Sequence, residues 1–297
     1  MPNTLTNVKD IKVAQKALMP FMANLMPVSS FSTNFGPQQA DKGDTVRVPL
    51  VGAPTGSSDF AGDYTANADS TVTTIPVTLN RHKFKTVHVT AREASETAMD
   101  LLDTLVAGAA QQLAQDVLLD IMSVITQANF GAPLAAVAAT NFNYKKVLEA
   151  REKCGEAKMP AAPRSLVLDA GYYTNLLADD VVAKSFNLNL SAPGVTEGLI
   201  KRLAGFDLHE TVVIPADHAE KLVGFAVHPS AVAVAMRYLQ PVAEYQQAGA
   251  VTDPQTGMTF GYLRFTDTRA NKVFVTIECL YGFTLGKSDA LKRLVKA

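Results

Sequence analysis

The sequence predicts an α+β protein organised around one long helix and one equally long strand. Three observations carry this. A helical pattern runs without proline from Thr90 to about Asn129, strict alternation runs from Lys272 to Leu285, and a stretch of mixed helix and strand signals lies between them.

Thr90 followed three residues later by Glu93 forms a capping box, in which each side chain satisfies a free backbone N–H at a helix start. Beyond it Ala94, Ala98, Leu101, Leu102, Leu105, Ala109, Leu113, Val117, Ile121 and Ile125 recur mostly three or four apart, while Glu96, Asp100, Asp103, Gln111 and Gln115 fall largely elsewhere on the wheel. At 1.5 Å per residue such a helix reaches roughly 50 Å. Its apolar stripe drifts from a strict seven-residue repeat, and no second helix of that length is visible, so a coiled coil is disfavoured. The matching element is the strand. Val273, Val275, Ile277, Cys279, Tyr281, Phe283 and Leu285 hold one face, and at about 3.3 Å per residue the run spans roughly 46 Å. Helix and strand together predict one elongated slab.

Residues 1–40 read as an arm. Val8, Ile11, Ala14, Gln15, Leu18 and Met19 make a weak helical face and Lys9, Lys12 and Lys16 another, before Pro20, Pro27 and Pro37 interrupt the pattern. Met19, Phe21, Met22, Leu25, Met26 and Phe31 are too apolar for a free tail. They either cap this subunit's own core or lie across a neighbouring subunit.

Residues 41–89 read as a long hairpin. Val46, Val48 and Leu50 alternate on one strand and Ile75, Val77 and Leu79 on the other. The connection from Gly52 to Thr71 contains Asp59, Asp63 and Asp69, and no Lys or Arg occurs from Val48 to Asn80. On the outgoing strand Arg81, Lys83 and Lys85 share one face at period two. Any one of these charges could be ordinary solvated surface. Taken together they predict an acidic loop tip that reaches the basic stripe of the next subunit.

After a small-residue linker from Pro133 to Ala139 comes a unit with helices at Asn143–Glu156, Gly171–Leu177 and Thr196–Leu203, and strands at Arg164–Leu168, Leu208–Ile214 and Leu222–Val227. Pro229 to Met236 reads as a closing helix with proline at its start, and residues 185–195 read as an exposed loop. From Pro241 to Gly257 the pattern is loop-like. Met258–Thr266 then pairs with the long strand through the turn Asp267 to Asn271. The tail from Lys287 reads as a short helix or strand end.

Composition narrows the function. The 297 residues are 47% hydrophobic with formal net charge −1, which gives no basic excess of the kind nucleic-acid binders show. No stretch approaches the roughly 20 apolar residues of a membrane span, and Lys9, Lys12 and Lys16 are not followed by a secretory apolar run, so synthesis in the cytoplasm is expected. Cys154 and Cys279 form neither a disulfide framework nor a metal spacing. His82, His88, His209, His218 and His228 show no ligand spacing, and no phosphate loop or nucleophile elbow is present. Gly56, Ser57 and Ser58 lack an assignable base, and the Asp179–Asp180 pair suits a helix end. No catalytic, cofactor-binding or metal residue is expected.

The order of elements resembles one family, the tailed-bacteriophage major capsid proteins of the Hong Kong 97 fold. The runs that carry the resemblance are Lys42-Gly43-Asp44-Thr45-Val46-Arg47-Val48-Pro49, Arg202-Leu203-Ala204-Gly205-Phe206-Asp207, Val227-His228-Pro229-Ser230-Ala231-Val232 and Cys279-Leu280-Tyr281-Gly282. The resemblance implies an N-terminal arm (1–40), an extended loop (41–89), a peripheral domain with a spine helix (90–139) that resumes as a long β-hairpin (241–297), and an α/β axial domain (140–240). It implies self-assembly as hexamers and pentamers into an icosahedral shell around double-stranded DNA, with a portal protein and possible decoration proteins as partners. Some relatives lock their shells through a lysine in the extended loop, and this loop has none. Others carry a scaffolding segment of roughly a hundred residues before the arm; about forty here imply a separate scaffolding protein or a processed chain. Two alternatives remain open: an encapsulin-like nanocompartment, and an α/β small-molecule-binding protein or enzyme with a long dimerisation helix.

Overall fold

The computed structural model describes residues 6–49, 62, 74–90, 92–93, 101–187, 200–214, 220–239, 247–253 and 256–297. Within these the chain builds two large sheets and a two-stranded hairpin.

The first sheet is organised on the long strand β13 (Lys272–Leu285). It pairs with β12 (Thr259–Asp267) through the expected turn, in which the Asp267 carboxylate accepts from the Arg269 amide at 2.9 Å. On its other edge it pairs over ten residues with β4 (Arg81–Thr90). Further along, β13 pairs with β10 (Val232–Tyr238), which in turn pairs in parallel with β1 (Ser32–Gln39). The strand β11 (Gln247–Thr252) extends the sheet beyond β12. Val275, Ile277, Cys279 and Tyr281 are fully buried, as alternation predicts. Thr276, Glu278 and Leu280 are buried too, because the hairpin and Tyr238 cover part of the opposite face.

Two helices close the buried face. The described part of the long helix, α2 (Leu101–Met122), is about 33 Å long at 1.5 Å per residue. Val106, Ala109, Ala110, Leu113, Ala114, Val117, Leu118 and Ile121 form its buried side, wide enough to meet both the sheet and a second helix. That second helix is α1 (Thr6–Leu25). Ala17, Phe21 and Leu25, each four residues apart, are fully buried, and the Phe21 ring lies 5.1 Å from that of Phe260. The arm therefore caps its own subunit's core in this stretch. Helix α1 also runs through Pro20, where a break was expected. The cost of a missing amide, about 3 kcal/mol, is offset by burial on both sides of the proline.

The capping box is present: the Glu93 carboxylate accepts from the Thr90 amide and hydroxyl at 2.8 Å each. The single helix expected to Asn129 ends instead at Met122. Thr126 then caps a separate turn of helix, α3 (Gln127–Phe130), by accepting from the Asn129 amide at 3.3 Å. Residues 94–100 of the expected helix lie outside the described residues.

The second sheet runs β5 (Ala135–Ala136), β14 (Leu291–Val295), β9 (Leu222–Val227), β6 (Ser165–Asp169), β8 (Phe206–Thr211) and β7 (Arg202–Leu203). Helices α4 (Tyr144–Glu156) and α5 (Ala170–Leu177) cover one face. The other face brings Val167, Phe225 and Val227 into the core shared with α2. Asn143 caps α4, and Asp179 accepts from the amides of Tyr144 and Val181 at 2.8 Å, which gives it the structural role expected of that acidic pair.

Several expectations need correction here. Helix α6 (Asp180–Asn187) enters the stretch read as a loop, and Arg202–Leu203 is strand where helix was expected. Residues 188–199 lie outside the described residues. The segment read as a helix from Pro229 is one tight turn, Pro229–Ala231, followed by β10. Its Val232 and Val234 are buried between β1 and β13, so the sheet ladder outweighs the helical start signal. The region read as loop contains β11, and the arm contains β1.

Truncating Phe21 to Ala should lower the unfolding free energy by about 3–5 kcal/mol in a denaturant titration. A loss near zero would show that α1 is not part of this core.

Candidate assembly surfaces

The hairpin of β2 (Thr45–Pro49) and β3 (Thr74–Thr78) is seated on the first sheet. Val48, Val77 and Leu79 bury against Ala233, Ala235 and Leu280 on the outer face of β10 and β13. The contact is close at Gly282, where a Cβ would stand 2.1 Å from the Thr78 carbonyl oxygen. The Thr284 hydroxyl donates to the Pro76 carbonyl at 3.3 Å, and Asn34 donates to the Arg47 carbonyl at 3.1 Å. The chain that continues from Pro49 to Thr74 carries Asp59, Asp63 and Asp69, which lie outside the described residues.

Period two on β4 does place Arg81, Lys83 and Lys85 along one side, beside Tyr281, Cys279 and Ile277 of β13. Their partners were not legible in sequence. Arg81 pairs with the Asp120 carboxylate and lies over the Phe283 ring, 4.5 Å from its centre. Lys83 donates to the Asp116 carbonyl at 2.8 Å. Tyr281 donates its hydroxyl to the second Asp120 oxygen at 2.5 Å. Burial, followed by the adjacent Asp120 carboxylate, pushes the Tyr281 phenol far above its ordinary range, so it is a permanent donor. Arg81 and Lys83 thus contact α2 of their own subunit; Arg81 and Lys85 are exposed and Lys83 is half-buried.

The other side of β4 carries His82, Phe84, Thr86 and His88. His82 meets the buried Glu278 carboxylate at 3.0 Å, Thr86 meets Thr276 at 2.8 Å, and His88 lies against Phe274. Phe84 is 63% exposed.

A cavity of about 310 Å³ opens where α2 ends over β9, lined in part by Lys83, Leu119, Asp120, Ile125 and Leu222. Its acidic residues are already engaged. Asp120 holds Tyr281 and Arg81, while Glu220 accepts from Arg293 at 2.6 Å and from the Gln127 amide at 2.9 Å. Arg293 is fully buried and also donates to the Gly131 carbonyl at 3.0 Å, tying the end of α3 to the second sheet. Sequence reading missed this residue, because an arginine in a basic tail looks like surface. Among the described residues no three His, Cys, Asp or Glu side chains group as a metal site, and no helix is long and apolar enough to cross a membrane.

Replacing Asp120 with Ala removes the acceptor of both Arg81 and Tyr281 and should cost about 1–3 kcal/mol, given its partial exposure. Lys85→Glu should change stability by less than about 0.5 kcal/mol. Thermal unfolding of both variants checks the contrast, and equal losses would contradict these assignments.

No protein-family model matches the chain, and no curated protein matches its sequence. Solved structures do match. One from Mycobacterium phage Che8 is 20% identical with a TM-score of 0.55, the match covering 85% of each chain. The virus-like particle from Pyrococcus furiosus is 13% identical with a TM-score of 0.57, over 96% of this chain and 99% of that one. The mature capsid of bacteriophage PhiM1 is 12% identical with a TM-score of 0.52, over 90% of this chain and 86% of that one. At such identities the likeness is one of fold, and the chain has the Hong Kong 97-type capsid fold that its sequence resembles.

Proposed function

We propose that this chain is the major capsid subunit of a tailed bacteriophage, assembling as hexamers and pentamers into an icosahedral shell around double-stranded DNA. The observation that carries this reading is the slab itself. A long helix packs on one face of the sheet that holds the long strand, and a hairpin is seated on the other face. A closed shell requires one subunit to make several different contacts repeatedly, and a flat body with an added hairpin does this better than a globule. Many modest contacts then sum to a stable wall. Near-neutral charge suits the inner wall, because strong phosphate binding would oppose release of the packaged DNA.

On this reading residues 41–89 are the extended loop, 90–139 with 241–297 the peripheral domain and 140–240 the axial domain. The role is structural, not enzymatic, and needs no cofactor. Scaffolding, portal and decoration proteins would be its partners, and the virion capsid its location after assembly in the host cytoplasm. Asp59, Asp63 and Asp69 would contact a neighbouring subunit's basic strand at Arg81, Lys83 and Lys85, of which Arg81 and Lys85 are exposed.

Purified protein, alone or with a scaffolding protein, should form closed particles in negative-stain images, and particles from infected or expressing cells should contain DNA. Monomers at every concentration and salt tried would remove the reading. Particles holding a protein cargo and no DNA would support a nanocompartment instead. The triple change of Asp59, Asp63 and Asp69 to Lys should sharply lower particle yield while leaving the subunit's melting temperature unchanged. Normal yield would eliminate the acidic-tip contact.

A further inference from the structure

Two chain crossings join the sheets side by side. Residues 228–231 carry the chain from β9 to β10, and residues 286–290 carry it from β13 to β14. Three backbone hydrogen bonds stitch them together: His228 N–H to the Ala290 carbonyl at 2.9 Å, Gly286 N–H to Ala231 at 2.8 Å, and Lys287 N–H to Ser230 at 2.9 Å. The approach is tight enough that a Cβ at Gly286 would stand 2.2 Å from the Ser230 carbonyl oxygen.

The first crossing folds on itself through His228. Its Nδ1 accepts from the Ser230 amide at 3.3 Å and lies 2.9 Å from the Ser230 hydroxyl, and both side chains are almost wholly buried. A ring nitrogen that accepts an N–H cannot itself carry a proton, so this turn requires the neutral imidazole, protonated on Nε2. The charged groups that bear on the ring are Arg164, from the segment entering β6, and Lys287, from the second crossing, and both are cations. Asp289 in the second crossing is exposed to solvent.

We propose that His228 is a pH-sensitive latch on the joint between the two sheets. Neutral, it caps the first crossing and holds the two crossings in register. Protonated, it drops the cap, loosens the bonds from Ser230 and Ala231 to the second crossing, and frees the sheets to pivot. Burial first, then Arg164 and Lys287, depress the proton affinity of the folded-state ring. Above the ordinary histidine value of about 6.5 both folded and unfolded states are neutral and the latch is at full strength. As pH falls below that value the unfolded ring takes up its proton first, so the joint loses stability until the folded ring is also protonated. This latch belongs to the single subunit and stands whether or not the chain builds a shell.

Amide hydrogen exchange on the purified subunit tests it, expressed as protection factors so that intrinsic exchange rates cancel. Between pH 7.5 and 5.0, protection at residues 228–231 and 286–290 should fall by about tenfold or more, with the buried face of α2 unchanged. His228→Asn supplies an oxygen near the Nδ1 position that does not titrate in this range, and should keep its protection at both pH values. An equal fall in wild type and His228→Asn, or no fall in wild type, would overturn the proposal. Direct titration of wild type by NMR covers the case in which the variant does not fold. The His228 ring and the Ser230 amide should shift with one midpoint below about 6.5, and separate midpoints would refute the latch.

Discussion

Tyr281 reaches from β13 to the carboxylate of Asp120 near the end of α2, and Arg81 closes on the same carboxylate from β4. This three-way contact pins the longest strand of the described residues to the long helix. Around it Val275, Ile277 and Cys279 meet the buried side of α2, each large apolar side chain contributing about 1.5–3 kcal/mol by removal from water. At the far end the Thr90–Glu93 box begins a helical turn beside the residue that pairs with Lys272. Among the described residues the helix from Leu101 to Met122 therefore packs against the strand and meets it at Asp120 and Tyr281.

Everything else is attached to that frame. Helix α1 seals the open side of α2 through Phe21 and Leu25, and the Gln115 amide donates to Asn24 across the two helices at 3.3 Å. The hairpin is seated on the opposite face of the sheet, with Gly282 permitting backbone contact. The second sheet is fastened by the apolar core it shares with α2, by the twin crossings around His228 and by the Arg293–Glu220 pair beneath α3. Its edges, β5 and β7, are only two residues long, which limits strand addition there. The ten-residue β4, with Phe84 exposed, contrasts with those short edges.

Much of this frame was legible in the sequence because its signals are local. A capping box, a helical apolar stripe, alternating strands and the Asp267 turn can each be read within a few residues, and Leu222–Val227 falls where its apolar run places it. The strands β1 and β11 were missed because only distant partners make them strands: Ser32 pairs with Ala233, and Gln247 with Arg264. At Pro229 a proline in a helix-start position misled for the same reason, since β1 and β13 decide that segment. The basic stripe shows the limit most clearly. Its periodicity was visible, but whether Arg81 meets solvent, a neighbour or Asp120 depends on a helix 39 residues further along. Arg293 gave no signal, because nothing in a sequence marks which tail cation will be buried.

The central claim is that a slab fixed by helix-on-strand packing forms the wall of a closed shell. An icosahedral reconstruction of assembled particles at subnanometre resolution tests it most directly. The account predicts a continuous rod of about 33 Å for residues 101–122, lying tangential to the wall and against the long strand in every subunit. A rod broken into short pieces, or one directed along the particle radius, would contradict it.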